Sequence, residues 1–458
     1  MKNAMLGLFL VLLSWGAQAQ TPIQLGNTAV DTHTVIGGID IPWEIVWGPD
    51  NHLWMTERYG RVSRVNPENG QQEVLLVLND CHAVGESGLL GMTLHPNFPD
   101  SAYLYLVYTY LQGNQIRERL VRYTYNSGAG QLQQALILLD GIPAASTHNG
   151  SRLQFLPDGS LLMTTGDAQN LNAPPDTSSL LGKVLRLWPD GSIPADNPFP
   201  GNYVYSYGHR NAQGMFLHPN GKIYLSEHGP ATDDELNIIL PGRHYGWPTV
   251  NGYCNTPAEV AYCQANQVVE PIRAWTPTIA PAGMIWYGSG HLPVFENSII
   301  LTTLKNERLY VMQLNASGDS VLSENTYLYG LFGRLRALCT DPWGRLYLAT
   351  NGPSWSNTQP FTHRIVRLSA AGSQLGLAKN VLHSQSVYPN PLNQESRLEL
   401  PAHFEGQSFG LYDVTGRLLR TYQYQMPYLL LHASDLPAGV YVLKHQSSVA
   451  QLKLIKAQ

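Results

Sequence analysis

Between residues 38 and 370, short strands of apolar residues recur, each introduced by the same kind of polar turn. The unit is Pro, then Asp, Asn or a bulkier residue, then Gly or Asn, then a strand. Pro49-Asp50-Asn51 leads into Leu53-Trp54-Met55, and Pro157-Asp158-Gly159 into Leu161-Leu162-Met163. Pro219-Asn220-Gly221 and Pro342-Trp343-Gly344 do the same before Ile223-Tyr224-Leu225 and Leu346-Tyr347-Leu348. Pro pre-sets the first turn position and Gly supplies positive φ at a later one, so each unit predicts a hairpin. His95-Pro96-Asn97-Phe98 before Tyr103 to Tyr108 is a longer variant. Further strands follow, as in Lys183-Val184-Leu185-Arg186-Leu187 and Arg364-Ile365-Val366-Arg367-Leu368, with no helical period between them. Repeated multi-stranded sheets predict an all-β, six-bladed β-propeller, with a β-sandwich array as the alternative. Thr56-Glu57, Gly166-Asp167 and Glu227-His228 stand at strand ends that a propeller gathers at one end of its channel.

From about Ser384 the character changes to a small antiparallel β-sandwich, opened by Val387-Tyr388-Pro389-Asn390-Pro391. It runs on through Leu411-Tyr412-Asp413-Val414-Thr415-Gly416-Arg417 to Leu436-Pro437-Ala438-Gly439-Val440-Tyr441-Val442. At the other end, Lys2, the apolar run Leu6 to Trp15 and the small residues of Ala17-Gln18-Ala19 predict a signal peptide over residues 1–19. The run is too short to span a bilayer, and no other stretch predicts a transmembrane segment. The expected domains are therefore a leader at 1–19, a propeller at 20–383 and a sandwich at 384–458.

Composition sharpens this reading. Only 13% of residues are charged, while 42 Gly, 31 Pro and 25 Tyr suit a turn-rich β protein. A net charge of -5 gives no basic footprint, which argues against nucleic acid as a partner. In an oxidising compartment Cys254 and Cys263 are expected to pair; Cys81 and Cys339 could pair or stay free.

The densest chemistry lies in Tyr207-Gly208-His209-Arg210-Asn211-Ala212-Gln213-Gly214, Ser226-Glu227-His228-Gly229-Pro230, Asp233-Asp234-Glu235-Leu236-Asn237 and Gly242-Arg243-His244-Tyr245-Gly246-Trp247-Pro248. With Glu86-Ser87-Gly88-Leu89-Leu90-Gly91 and His148-Asn149-Gly150-Ser151-Arg152-Leu153, their order and spacing resemble the soluble glucose/aldose sugar dehydrogenases that use pyrroloquinoline quinone (PQQ). The resemblance covers residues 30 to 370. The last seventy or so residues resemble the C-terminal sorting domain of the type IX secretion system. That implies export, passage through the periplasm, then secretion or attachment at the cell surface, with the secretion machinery as partner.

PQQ carries three carboxylates and a reactive ortho-quinone, and bidentate guanidinium contacts suit planar carboxylates. Arg210, Lys305, Arg334 and Arg336 are the candidate cations, and strand alternation puts Arg334 and Arg336 on one face. The resemblance implies cofactor contacts from Arg210, Asn211, Lys305, Arg334 and Arg336, supported by Thr278. It also implies a calcium ion beside the quinone on the carbonyls of Gly229 and Pro230, a hard cation on oxygen ligands. A second calcium is implied at Asp234, Glu235, Tyr245 and Tyr253, although Asn255 stands where a relative has Asp.

Oxidising an anomeric hydroxyl needs a base, and imidazole suits neutral pH. The resemblance gives that role to His148, with Asp167 orienting the ring and Arg210 stabilising charge on the quinone oxygen. On the substrate side it implies Glu86, where the glucose-oxidising relative has Gln, and His148. Thr276 replaces a sugar-packing Trp, and the adjacent Trp275 is the candidate to serve instead. The expected activity is PQQ- and calcium-dependent oxidation of an aldose to its lactone, with electrons passing to an external acceptor. A calcium-dependent propeller lactonase is one alternative, but it leaves the four cations without a purpose. A non-catalytic carbohydrate-binding propeller is another, and it predicts an eroded base or cation set.

Overall fold

The computed structural model describes residues 22–98, 100–352, 363–372, 387–388, 395–398, 406–413, 417–425, 428–445 and 451–456. The expected signal peptide lies outside the described residues, as does the Pro389-Asn390-Pro391 part of the tail motif. The chain divides into two compact units, residues 1–371 and 372–458.

The first unit is a six-bladed β-propeller. Five antiparallel sheets have four strands each, and the sixth has five because the N-terminal strands Ile23–Leu25 and Thr28–Gly37 join it beside Arg364–Ala370. That pairing closes the ring by hydrogen bonds between its two ends. The innermost strands are Pro42–Trp47, Leu89–Leu94, Gly150–Phe155, Ala212–Leu217, Pro281–Tyr287 and Leu335–Thr340. Each touches the next, and the last returns to the first.

Six apolar cores lie between neighbouring blades, one per gap. Strand alternation feeds both sides of a blade. Leu161 and Met163 enter one core and Leu162 the next, all three fully buried. Burying each such side chain contributes roughly 1.5–3 kcal/mol. Threonines on the second strands tie blade to blade: Thr56 Oγ1 donates to Leu90 O, Thr164 Oγ1 to Ala212 O and Thr302 Oγ1 to Arg336 O.

The turns expected from sequence form as hairpin connections. Gly159, Gly221 and Gly344 sit at φ of 88, 86 and 83°, and Asn51 takes 58° where no glycine stands. Cys254 and Cys263 are bonded, while Cys81 and Cys339 are free thiols. Cys263 lies in a helix, Pro257–Asn266, which the reading by strands omitted; Thr256 and Glu259 form its capping box and Pro257 opens it.

A feature with no counterpart in the sequence pattern appears on all six innermost strands. Each carries a register shift near its start, between Pro42 and Glu44, Leu89 and Met92, Gly150 and Leu153, Ala212 and Gly214, Pro281 and Met284, and Leu335 and Ala337. A bulge re-aims the side chain inside it. Here those include Trp43, Arg152, Gln213 and Arg336, which meet across the channel. Arg152 and Arg336 lie over the Trp43 ring at 4.6 and 5.6 Å, Arg336 Nη1 donates to Gln213 Oε1 at 2.6 Å, and Arg152 pairs with Glu44. This layer floors the channel.

The second unit is a β-sandwich of two antiparallel sheets. Val387–Tyr388, Glu395–Leu398 and Leu429–His432 make one; Leu418–Gln423, Ser408–Asp413, Gly439–His445 and Gln451–Lys456 make the other. Leu398, Leu429 and Leu431 from the first pack with Phe409, Leu411, Tyr441 and Leu443 from the second. Among the described residues no helix is long and apolar enough to cross a membrane.

Candidate functional site

Above the channel floor, loops that enter the innermost strands and loops that leave the second strands bring the chemistry together. His148 stands in a left-handed conformation at φ 59°, just before Gly150–Phe155. Asp167 follows the strand Leu161–Thr165 through Gly166, where a Cβ would come within 1.8 Å of the His148 carbonyl. Only glycine lets these two loops approach so closely, which accounts for the Gly-Asp pair.

His148 Nδ1 is 2.8 Å from Asp167 Oδ1, and Arg210 Nη2 is 3.2 Å from His148 Nε2. A guanidinium only donates, so Nε2 accepts and Nδ1 carries the proton given to Asp167. The ring thus presents its lone pair toward Arg210. The His148 side chain is 20% exposed and that of Asp167 1%. Asp167 also accepts from the Trp247 indole at 2.9 Å and the Gln169 amide at 2.8 Å, which fixes its plane.

Arg210 lies 5.2 Å from the Trp247 ring centroid and donates to His228 O at 3.0 Å. Its own amide is held by Glu227, which also takes His209 Nδ1 and Asn237 Nδ2. Sequence reasoning gave Trp247 and Glu227 no role, although both stood inside the quoted motifs. The signal was available: a Trp beside a Gly-rich turn and a carboxylate beside His-Gly-Pro.

The other expected cations share this end of the channel. Lys305 Nζ donates to Thr278 Oγ1 at 2.6 Å. Arg334 and Arg336 both feel the Glu86 carboxylate, as does Arg210. The strand begins at Leu335 and bulges at once, so the bulge rather than simple alternation places the two arginines. Burial lowers the pKa of all three guanidinium groups, with Arg336 brought down to about 9. Among the described residues none of the four cations has a carboxylate within 4.0 Å. Nε of Arg210, Arg334 and Arg336 and Nδ2 of Asn211 are buried without a partner. Buried positive charge with idle donors describes a receptor for an anion. Glu86 Oε2 accepts from the His148 amide at 3.3 Å, which brings it to the mouth beside His148.

The acidic cluster resolves into two tasks. Asp234 accepts from the amides of Gly229, Ile279 and Ala280, so its carboxylate clamps loops where a cation ligand was expected. Glu235 faces a small cavity with Glu227, Gly229, Asp233, Tyr245 and Asn251. Burial, and then neighbouring Glu227, raise the pKa of Glu235 well above the usual carboxylate range. Asn237 Nδ2 bridges the two glutamates, and its Oδ1 is buried without a partner. The Tyr245 hydroxyl is taken by Ile238 O and the Leu240 amide, which leaves its carbonyl as the available donor to a cation. Tyr253 is exposed beside Gly252, whose amide caps Glu235. Pro230 follows Gly229 at the end of the strand Ile223–Glu227.

Trp275 requires correction. It is buried in the core between the fourth and fifth blades, edge-on to Tyr310, with its indole N–H on Glu324. It sits on Arg273–Trp275, the outermost strand of its sheet, so the structure does not bring it to the substrate side. Adjacent Thr276 turns outward to Asp233. The aromatic ring that does reach His148's surroundings is Trp247, on the long excursion between Asp234–Ile239 and Arg273–Trp275 that climbs back to the site.

Comparison with known proteins agrees with this architecture. Residues 39–356 match the family described as Glucose / Sorbosone dehydrogenase, and residues 386–456 match Secretion system C-terminal sorting domain. The chain is 38% identical over 411 residues to quinoprotein glucose dehydrogenase B of Acinetobacter calcoaceticus, covering 70% of this chain and 85% of that protein. It is 31% identical over 330 residues to an aldose sugar dehydrogenase of Escherichia coli, covering 69% and 88%. The PQQ-bound aldose sugar dehydrogenase of Streptomyces coelicolor superposes with a TM-score of 0.65 at 30% identity, over 74% of this chain and 98% of that one. On the match over residues 39–356 and this degree of identity, the chain belongs to the glucose/sorbosone dehydrogenase family.

Proposed function

We propose that the chain is an exported dehydrogenase that uses PQQ and calcium to oxidise an aldose at its anomeric hydroxyl. The observation that carries this reading is a set of four cations, without carboxylate partners among the described residues, of which Arg210 touches the His148–Asp167 pair. Arg210, Asn211, Lys305, Arg334 and Arg336 would hold the carboxylates and carbonyls of PQQ, with Thr278 fixing the Lys305 ammonium. PQQ, when bound, supplies the two-electron acceptor for the hydride leaving the sugar carbon.

The remaining work belongs to side chains of this chain. His148 Nε2 takes the hydroxyl proton as the C–H bond breaks. Asp167 holds Nδ1–H and stabilises the imidazolium that results. Arg210 stands beside Nε2 and offers positive charge where negative charge grows. Trp247 keeps both Asp167 and Arg210 in place from one ring. Glu86, held by the His148 amide, would orient the substrate beside His148. The sugar leaves as its lactone, and electrons pass to an external acceptor.

Calcium fits two places. Carbonyls of Gly229 and Pro230 would hold one ion beside the cofactor. Glu235 and the carbonyls near Tyr245 and Tyr253 would hold the other, with Glu227 lining the same cavity. Among the described residues no three His, Cys, Asp or Glu side chains form a metal centre, so backbone oxygens must complete both shells.

The test is a dye-linked assay on the purified chain with a panel of aldoses, adding PQQ and calcium together and then omitting each. Turnover that needs both is expected. Turnover of lactones, or sugar binding with no PQQ uptake, would overturn the assignment in favour of a lactonase or a binding propeller.

The tail has a separate task in this proposal. Residues 1–19 would direct export to the periplasm, and residues 384–458 would pass the chain to the type IX machinery for release or surface attachment. Deleting 384–458 is expected to leave the turnover of the purified chain unchanged while confining it to the periplasm. Cell fractionation and assay read both; a truncated chain that is folded but inactive contradicts the separation.

A further inference from the structure

The turn that carries His148 is conformationally costly. His148, Gly150 and Ser151 all have left-handed backbones, at φ of 59, 68 and 78°. Such conformations persist only where surrounding contacts over-determine them. Several contacts do so. The Asn149 side chain closes on Ala145 N and Ala145 O at 3.0 and 2.9 Å, and the Gly150 amide donates to Asn211 Oδ1 at 3.1 Å. Gly91 of the neighbouring blade leaves room for the Ser151 carbonyl, which a Cβ there would approach to 1.8 Å. The remaining contact is the Ser151 hydroxyl, which bonds Glu118 Oε1 and also reaches Asn149 O at 3.2 Å.

Glu118 has no part in the chemistry described so far. It lies mid-strand in Gln115–Asn126 of the second blade and is 1% exposed. Thr109 and Ile142 stand opposite it on the two flanking strands, and Ser151 faces it from the third blade. Arg117 and Arg119 adjoin it in sequence and, by alternation, point to the other face of the sheet. Arg119 is engaged there with Asp80 and Asp140. On the third blade Arg152 turns away to Glu44. Among the described residues no charged group makes an ion pair with Glu118.

We propose that Glu118 is a positioning residue: as a neutral acid it donates to Ser151 Oγ, which in turn donates to Asn149 O, and this chain of hydrogen bonds locks the turn that aims His148. Ionised, Glu118 can only accept. The Ser151 hydroxyl must then turn toward the carboxylate and give up the Asn149 carbonyl, and the lock opens. Burial raises Glu118 to about 8, far above its ordinary value of 4.5, so the acid form prevails at neutral pH.

The sign of the linkage follows. The native acid keeps its proton where the unfolded chain has lost it. Stability therefore falls as pH rises from about 4.5 to about 8 and levels off above. The lock itself is complete below about 8 and lost on passing above it.

The test uses the full chain labelled with nitrogen-15 at histidine, with the His148 ring signals assigned through the His148→Asn variant. Wild type, Glu118→Gln and Ser151→Ala are compared across pH. In wild type the His148 signals are expected to change on the alkaline side near pH 8. Glu118→Gln, whose amide can still donate to Ser151, should keep the neutral signals without that transition. Ser151→Ala should show displaced signals at every pH. In the dye-linked assay, wild-type kcat should fall about tenfold through the transition with KM little changed, the scale of a small misplacement, and Glu118→Gln should remove that fall. His148 signals indifferent to both substitutions would overturn the lock. The turnover arm rests on the dehydrogenase reading, whereas the spectroscopic arm does not. A clear transition in a chain that oxidises no sugar would sink that reading and leave the lock standing.

Discussion

Replacing His148 with alanine is expected to lower kcat by about 10²–10⁴-fold, the usual range for a positioned general base, while PQQ still binds. The two effects separate because the site is built from different elements. The ring contributes the lone pair at Nε2; the cations that would hold the cofactor come from the loops before Ala212–Leu217 and Leu335–Thr340, from the bulge at the start of the latter strand and from the loop after Ser298–Thr303. Removing the ring takes one of three partners from Asp167 and leaves those of Trp247 and Gln169. Titration with PQQ followed by fluorescence reads binding, and single-turnover kinetics read the chemical step. Turnover retained within a few fold would remove His148 from the reaction.

Asp167→Asn should be nearly as severe, at about 10³–10⁴-fold in kcat, though it changes no volume. The carboxylate accepts from three donors: His148 Nδ1, the Trp247 indole and the Gln169 amide. An amide has one accepting oxygen, so its NH₂ must face one of those donors. If it faces His148, the ring must shift its proton to Nε2, where the base is needed. If it faces Trp247, the indole is pushed from the position that also supports Arg210. Either arrangement disables the pair. The ring tautomer, read by nitrogen-15 chemical shifts of His148, should move with kcat. An Asp167→Asn chain that turns over normally would show that the ring needs no carboxylate.

Much of the propeller was legible because its signals are local. Hairpin turns are set by Pro, Asn and Gly within four residues, and Asn51 shows the pattern surviving without its glycine. The unbroken apolar run Leu161-Leu162-Met163 sends successive side chains into two different cores, so both faces of that strand are buried. Trp275 misled for a physical reason. Its neighbours in sequence suggested a sugar platform, but an outermost strand packed on the next blade buries its aromatic side chain in the gap. Trp247 was overlooked for the converse reason, since a long excursion brought it back to Asp167, eighty residues away along the chain.

By itself the sequence determined the hairpin repeat and a β-rich tail, and it anticipated the Cys254–Cys263 bond. These follow from spacing or from residue chemistry within short segments, whereas the candidate site residues came from the resemblance of whole motifs to a family. Tertiary structure alone decided which of those residues meet. The six inner-strand bulges turn Trp43, Arg152, Gln213 and Arg336 into a channel floor, and the left-handed turn at 148–151 aims one imidazole past it. A bulge depends on pairing between strands and a strained turn on the contacts that hold it, and both are long-range properties that no local pattern encodes.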